Sequence, residues 1–194
     1  MTDRQFSRGD LDDVTLARAL AGDREAFRAL VERYERPVFA LLGRMLVRSG
    51  RESLVEDLAQ ETFVRVFRYL PTFGNDGRTN LSAWILTIAA RLAIDELRRR
   101  PPRAEPLDGL ALAVAAESAA DERSERRRVA AAIERAVDDL TPEWRAVFLL
   151  REVHDMDYEA IAVALGIDLG TVKSRLSRAR AALRRALQGT YDDR

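Results

Sequence analysis

Tyr158-Glu-Ala-Ile161-Ala-Val-Ala-Leu165-Gly166-Ile-Asp168-Leu-Gly-Thr-Val-Lys173-Ser-Arg-Leu-Ser-Arg178-Ala-Arg180 decides the fold. Its aliphatic and small residues predict a short helix over Tyr158 to Leu165, a break at Gly166-Ile167-Asp168, and a helix from Leu169 to about Leu187. Gly166 can take a left-handed conformation after the first helix, and the small side chains let two helices cross closely. The pattern is a helix-turn-helix. Lys173, Arg175, Arg178, Arg180, Arg184 and Arg185 lie on the last helix with no acid, whereas Arg151 to Asp168 holds five acids and one base. A helix with six cations repels itself unless something anionic compensates, and its amino end lies where a major-groove reader's should. Charge alone would equally suit a solvated basic face. The turn favours DNA.

Upstream, Thr141-Pro142-Glu143 supplies an N-cap, a proline at the first helical position and an acid in the first turn, ahead of Trp144, Val147, Phe148 and Leu150. Val129, Ile133, Val137 and Leu140 step through the helix before it. Between Pro101 and Glu125 the composition shifts to Ala, Pro and acid, six acids against two arginines. Few large apolar groups there offset ordering entropy, so the stretch reads as a flexible linker, partly helical at most.

In the first half, Asp12 and Asp13 can cap a helix over Val14 to Ala21, and Gly22-Asp23 stops it and caps a longer one. That longer helix carries Phe27, Leu30, Val31, Tyr34, Val38, Leu41, Leu42 and Met45 on one stripe, with Pro37 expected to kink or split it. Ser53 and Glu56 have capping-box spacing before a third helix that ends at Pro71. Residues 74–80 are turn formers, and Asn80 can cap a fourth helix through Trp84, Ile88 and Leu97. Arg98-Arg99-Arg100 then opposes the negative helix end before Pro101-Pro102. No segment alternates with the period of a strand. The fold class is all-α: a four-helix domain over 12–100, the linker 101–125, and a helix-turn-helix domain over 126–188. Residues 1–11 and 189–194 are tails.

With 194 residues, 47% hydrophobic and 33% charged, the chain can build one or two small cores. Lys+Arg 32 against Asp+Glu 32 leaves no net charge, so affinity for nucleic acid must come from how charge is distributed. All but one of the 32 bases are arginine, which a GC-rich genome also produces. The absence of cysteine excludes disulfides, thiolate metal sites and thiol switches from this chain. A single histidine, His154, excludes most imidazole-based catalysis; beside Asp155 and Asp157 it reads as a surface residue of a turn. Calcium-loop spacing, a phosphate loop, a dinucleotide turn and a nucleophile elbow are missing, so no metal, no cofactor and no enzyme is expected. No apolar stretch approaches the ~18 residues of a membrane helix, and the start lacks a signal core, which makes the expected location cytoplasmic, with no membrane insertion.

The segment Tyr158–Arg180 resembles region 4.2 of the extracytoplasmic-function sigma factors. Leu140-Thr-Pro-Glu-Trp-Arg-Ala-Val-Phe-Leu-Leu-Arg-Glu152 is similar to region 4.1, Glu56-Asp-Leu-Ala-Gln-Glu-Thr-Phe63 to region 2.2, and Trp84 with Asp95-Glu-Leu-Arg98 to regions 2.3 and 2.4. The resemblance implies two helical domains, sigma2 and sigma4, that bind core RNA polymerase through its beta-prime and beta subunits and direct it to promoter DNA. Asp57, Gln60 and Glu61, at i, i+3 and i+4, match the family's contact with the beta-prime coiled coil. Asn75, Thr79, Asn80, Arg98 and Arg99 are the expected minus-10 contacts, although the arginines could simply balance a helix end and Trp84 reads first as core. Arg151, Lys173, Ser174, Ser177 and Arg178 are the expected minus-35 contacts, with a phosphate or packing role as the alternative for Arg151. The family usually has a shorter loop between Phe73 and Trp84, and often Asn where this chain has Arg91. Lacking any sensor, the chain is expected to be held by an anti-sigma factor. A regulator of the LuxR type is the alternative, since it shares a GTVKSR-like recognition helix, though only the C-terminal half.

Overall fold

The Asp12 carboxylate accepts the Thr15 N–H at 2.9 Å, and the Asp23 carboxylate accepts those of Glu25 and Ala26, so aspartates start the first two helices, α1 (Asp13–Leu20) and α2 (Arg24–Leu46). The computed structural model describes residues 11–47, 49–73, 80–99 and 120–192. Pro37 lies inside α2 without splitting it, and the stripe from Leu30 through Tyr34, Val38, Leu41 and Leu42 to Met45 is buried.

The capping box expected from Ser53 and Glu56 does not form. A 3-10 turn, Glu52–Leu54, leads directly into α3 (Val55–Tyr69), and the Leu54 N–H donates to the Arg51 carbonyl at 2.9 Å. The turn satisfies amide groups that a serine cap would otherwise serve, so neither N-cap carries a side-chain bond. At α4 (Leu81–Arg99) the expected cap does form: Asn80 Oδ1 accepts the Ser82 N–H at 2.7 Å. Trp84 packs partly buried against the core with its ring 5.1 Å from that of Phe73.

Helix α5 (Ala120–Asp138) begins inside the stretch whose composition suggested a linker. Thr141 caps α6 (Pro142–Glu152), Asp157 caps α7 (Tyr158–Leu165), and α8 runs Leu169–Asp192, five residues beyond Leu187. Gly166 sits at φ 65°, ψ 40°, the left-handed cap that lets its N–H and that of Ile167 reach back to α7. There is no strand among the described residues.

Helix α4 is buried on most of its circumference because it is sandwiched. It packs on α2 and α3 on one side and on α6 and α7 on the other. One continuous apolar core therefore runs through both halves of the chain, from Leu30 and Ile85 to Leu149, Ile161 and Leu176.

Candidate nucleic-acid and polymerase interface

On α8 the residues Val172, Leu176, Ala179 and Leu183 are buried at three- and four-residue steps, which fixes what faces outward. Lys173 and Ser177 line a shallow groove of about 200 Å³ together with Tyr158, Leu176, Arg180 and Arg184. Lys173 has no ion-pair partner among the described residues. Ser174 is exposed and its hydroxyl donates to the Thr171 carbonyl at 3.0 Å. The exposed Arg178 guanidinium lies 5.7 Å from the centre of the Trp144 ring. Thus four of the expected minus-35 residues share the outer side of α8's first turns.

The fifth, Arg151, is placed differently. It donates to the Met156 carbonyl at 2.9 Å, lies 3.6 Å from the Asp155 carboxylate and stands over the Tyr158 ring. These bonds brace the α6–α7 turn, where Asp155 takes the positive φ of 51°. Arg180 is likewise held, by Glu152 at 2.5 Å.

Asp57 and Gln60 are exposed on α3 and have no hydrogen-bond or ion-pair partner among the described residues. Glu61, on the same face, pairs with Arg65 at 2.7 Å, so its carboxylate is partly neutralised within its own helix. The face continues into exposed Val64 and Phe67, the Phe67 ring meeting that of Phe27 edge-on at 4.9 Å.

Of the expected minus-10 residues, Asn75 and Thr79 lie outside the described residues, and Asn80 spends its carboxamide oxygen on the α4 cap. Arg99 is exposed, 3.8 Å from Glu96. Arg98 reaches out of its domain to Glu143 on α6, with Nε at 2.8 Å and Nη2 at 2.7 Å. Burial acts to raise the Glu143 carboxyl, but its own amide, the Arg98 hydrogen bond and the charges of Arg98 and Arg175 hold it below the usual carboxylate range.

Residue-type reasoning passed over Arg145. Only 7% exposed, it donates to the carbonyls of Val137 at 3.1 Å, Leu140 at 3.3 Å, Asp138, and Met45 of α2 at 2.6 Å. The guanidinium thus serves carbonyls at the carboxyl ends of α5 and α2, where helix dipoles are negative. An arginine beside Ala146 and Val147, on the buried side of α6, was the available signal.

His154 is not a surface residue. Its ring is largely covered, and Nε2 is buried with no hydrogen-bond partner among the described residues. Burial first, and the Arg44 charge second, push its pKa down to about 4. The unfolded chain, at the ordinary 6.5, therefore takes up this proton first as pH falls. The neutral ring's contribution is complete above pH 6.5, fades between 6.5 and 4, and changes no further below. We expect about 2 kcal/mol of pH-dependent stability from it after allowing for partial exposure. Urea unfolding at pH 7.5 and 4.5 checks this. His154→Gln should lose less stability across that interval than the natural chain, and equal losses would refute it.

Among the described residues no group of three or more His, Asp or Glu side chains is arranged to hold a metal ion. The arrangement is that of a helix-turn-helix domain packed on a helical partner domain. Residues 30–101 match the sigma-70 region 2 model and residues 130–183 the sigma-70 region 4 model. The chain is 31% identical over 176 residues to the ECF RNA polymerase sigma factor SigW of Bacillus subtilis, covering 86% of this chain and 91% of that one. It is 36% identical over 157 residues to the ECF sigma factor SigE of Mycolicibacterium smegmatis, covering 80% of this chain but 59% of that longer protein. Among solved structures, CnrH in complex with the cytosolic domain of CnrY superposes with a TM-score of 0.62 at 28% identity, over 93% of this chain and 99% of that one. The chain belongs to the extracytoplasmic-function sigma factors of the sigma-70 family. The match to region 2 leaves the LuxR-type alternative without support, because that resemblance reached only the C-terminal half. No helix among the described residues is long and apolar enough to cross a membrane.

Proposed function

We propose that this chain loads onto core RNA polymerase through the outer face of α3 and directs it to promoters, with no catalysis of its own. In this reading Asp57, Gln60 and Glu61 dock on the polymerase, Asn75, Thr79, Asn80, Arg98 and Arg99 meet the minus-10 element, and the first turns of α8 read the minus-35 element. The working units are residues 12–100 and 126–188, joined through 101–125, and the site of action is the cytoplasm. The observation that carries the reading is the array of Lys173, Ser174, Ser177 and Arg178 on the outer side of a helix that follows a left-handed Gly166 turn. There Lys and Arg can donate to guanine O6 and N7, and Ser can serve several bases. Arg151 braces its own turn in the free chain, which supports a packing role as the alternative to its place in the minus-35 set. CnrH is captured with the cytosolic domain of CnrY, which supports a protein partner for this chain as well, and that partner is expected to be an anti-sigma factor.

Run-off transcription with core polymerase on a randomised promoter library tests the proposal. Addition of the protein should select a minus-10/minus-35 pair, and no promoter-dependent transcript would overturn it. Arg178→Ala should cost ~1–3 kcal/mol mainly on the preferred minus-35 sequence, as should Lys173→Ala. Uniform loss across all sequences would instead mark these side chains as phosphate contacts.

A further inference from the structure

Arg151, Arg178 and Arg180 border the helix-turn-helix, and they differ in what holds them. Arg151 donates to the Met156 carbonyl beside the Asp155 carboxylate, and Arg180 donates to Glu152 through Nε and Nη2. Oxygen partners of this kind occupy the donors that a base edge would need. Arg178 is the exception. Among the described residues it has no hydrogen-bond or ion-pair partner, and its guanidinium carbon stands 5.7 Å from the centre of the Trp144 ring. That is inside the ~6 Å over which the face of an indole attracts a cation. A ring attracts without offering an oxygen acceptor, so the guanidinium is held while its donors stay open for guanine O6 and N7.

The indole is a fixed platform. Trp144 lies in the first turn of α6, where its backbone N–H donates to the Thr141 hydroxyl at 3.4 Å and Pro142 sets the helix start. Arg145 beside it is anchored on four carbonyls, and Ala146 and Val147 are buried. The ring itself packs half-buried against the core. Trp144 and Arg178 both fall in the stretch 130–183 that matches region 4, so the contact is internal to one domain. Lys173, one turn earlier on α8, is held by no ion pair among the described residues.

We propose that Trp144 is a positioning residue for minus-35 recognition: it holds Arg178 where the guanidinium meets a guanine, and so sets how strongly that base is preferred. A side chain already held loses less rotamer freedom on binding, and a wrong base offers it no matching acceptors. The gain therefore falls on discrimination at one position. The inference rests on the promoter-recognition reading of Arg178, and Trp144 itself touches no DNA in it.

Two measurements on the full chain test it. In NMR spectra of the free protein, the Arg178 Nε–H signal, identified by its loss in Arg178→Ala, should carry the ring-current shift of the indole. Trp144→Leu, which keeps an apolar side chain, should abolish that shift, and Trp144→Phe should retain it. In run-off transcription with core polymerase, the preference for the favoured base over the other three is measured at each minus-35 position. Trp144→Leu should lower it about two- to fivefold at the position that Arg178→Ala relaxes, the weight of an exposed cation–π contact. The position relaxed by Lys173→Ala should keep its preference. Trp144→Phe should retain most of the discrimination, and Trp144→Leu should add no further loss to Arg178→Ala. A variant that merely loosened the fold would instead lower output on all sequences alike. No ring-current shift, an unchanged preference in Trp144→Leu, equal loss at every position, no retention by phenylalanine, or additive loss in the double variant would each overturn the proposal. Relaxation by Arg178→Ala without relaxation by Trp144→Leu would overturn it alone, whereas an Arg178→Ala variant that relaxes no position would overturn the reading of Arg178 and the proposal together.

Discussion

Arg145→Ala should destabilise the chain by about 3 kcal/mol, the largest loss expected from any single charged residue described here. Its guanidinium is 7% exposed and donates to four backbone carbonyls: Val137, Asp138, Leu140 and Met45. Burial lowers its pKa, the Asp138 and Asp139 charges partly offset this, and the group remains a cation at any physiological pH. Truncation strands carbonyls at two helix ends, and charge-assisted hydrogen bonds are worth ~1.5–3 kcal/mol each. Full additivity would exceed the estimate, but the opened site admits water to some of those oxygens. Arg145→Lys keeps the charge without the planar fork and should recover less than half of the loss. Denaturant unfolding of the full chain measures both, and an alanine variant within 0.5 kcal/mol of the natural chain, on the order of a neutral surface change, would show that the network carries no net stability.

For docking, the pair Asp57→Ala with Gln60→Ala should weaken core polymerase binding by about 30- to 100-fold, or ~2–3 kcal/mol, the range of interface hot spots. Both side chains are exposed and make no contact that the fold depends on. The one structural cost is the acid in the first turn of α3, worth ~0.3–1 kcal/mol against the helix dipole. Thermal unfolding should therefore move little while affinity drops. Glu61→Ala alone should have a smaller effect, because Arg65 already engages that carboxylate in the free protein. Equilibrium binding of a fluorescent derivative to core polymerase decides the matter. Unchanged affinity with normal folding would remove α3 from the docking surface.

Some features were legible because their causes are local. Asp12, Asp23, Asn80 and Thr141 cap the helices they were expected to cap, since a cap involves residues only two or three positions apart. Which turns of α8 face outward was settled by the structure, through the burial of Val172, Leu176, Ala179 and Leu183. Ser53 failed as a cap for an equally local reason that its spacing did not reveal: a 3-10 turn already satisfied the amides. Asn75 and Thr79 lie outside the described residues, so the minus-10 set is legible here only through Asn80, Arg98 and Arg99.

The amino-acid sequence by itself determined an all-helical chain with a helix-turn-helix and a basic last helix, because periodicity, caps and charge segregation are short-range properties; the region-2 likeness of the first half came from the resemblance of its motifs to a known family. Tertiary structure alone decided that Arg98 closes on Glu143, 45 positions away, and that Arg145 reaches Met45, 100 positions away. It also decided that His154, followed by Asp155 and Asp157, has its Nε2 buried and feels the Arg44 charge. A charged side chain looks the same in sequence whether water or a distant carbonyl receives its proton donors. Which one does depends on how α4 is enclosed between the two domains, and that is set by packing across the whole chain.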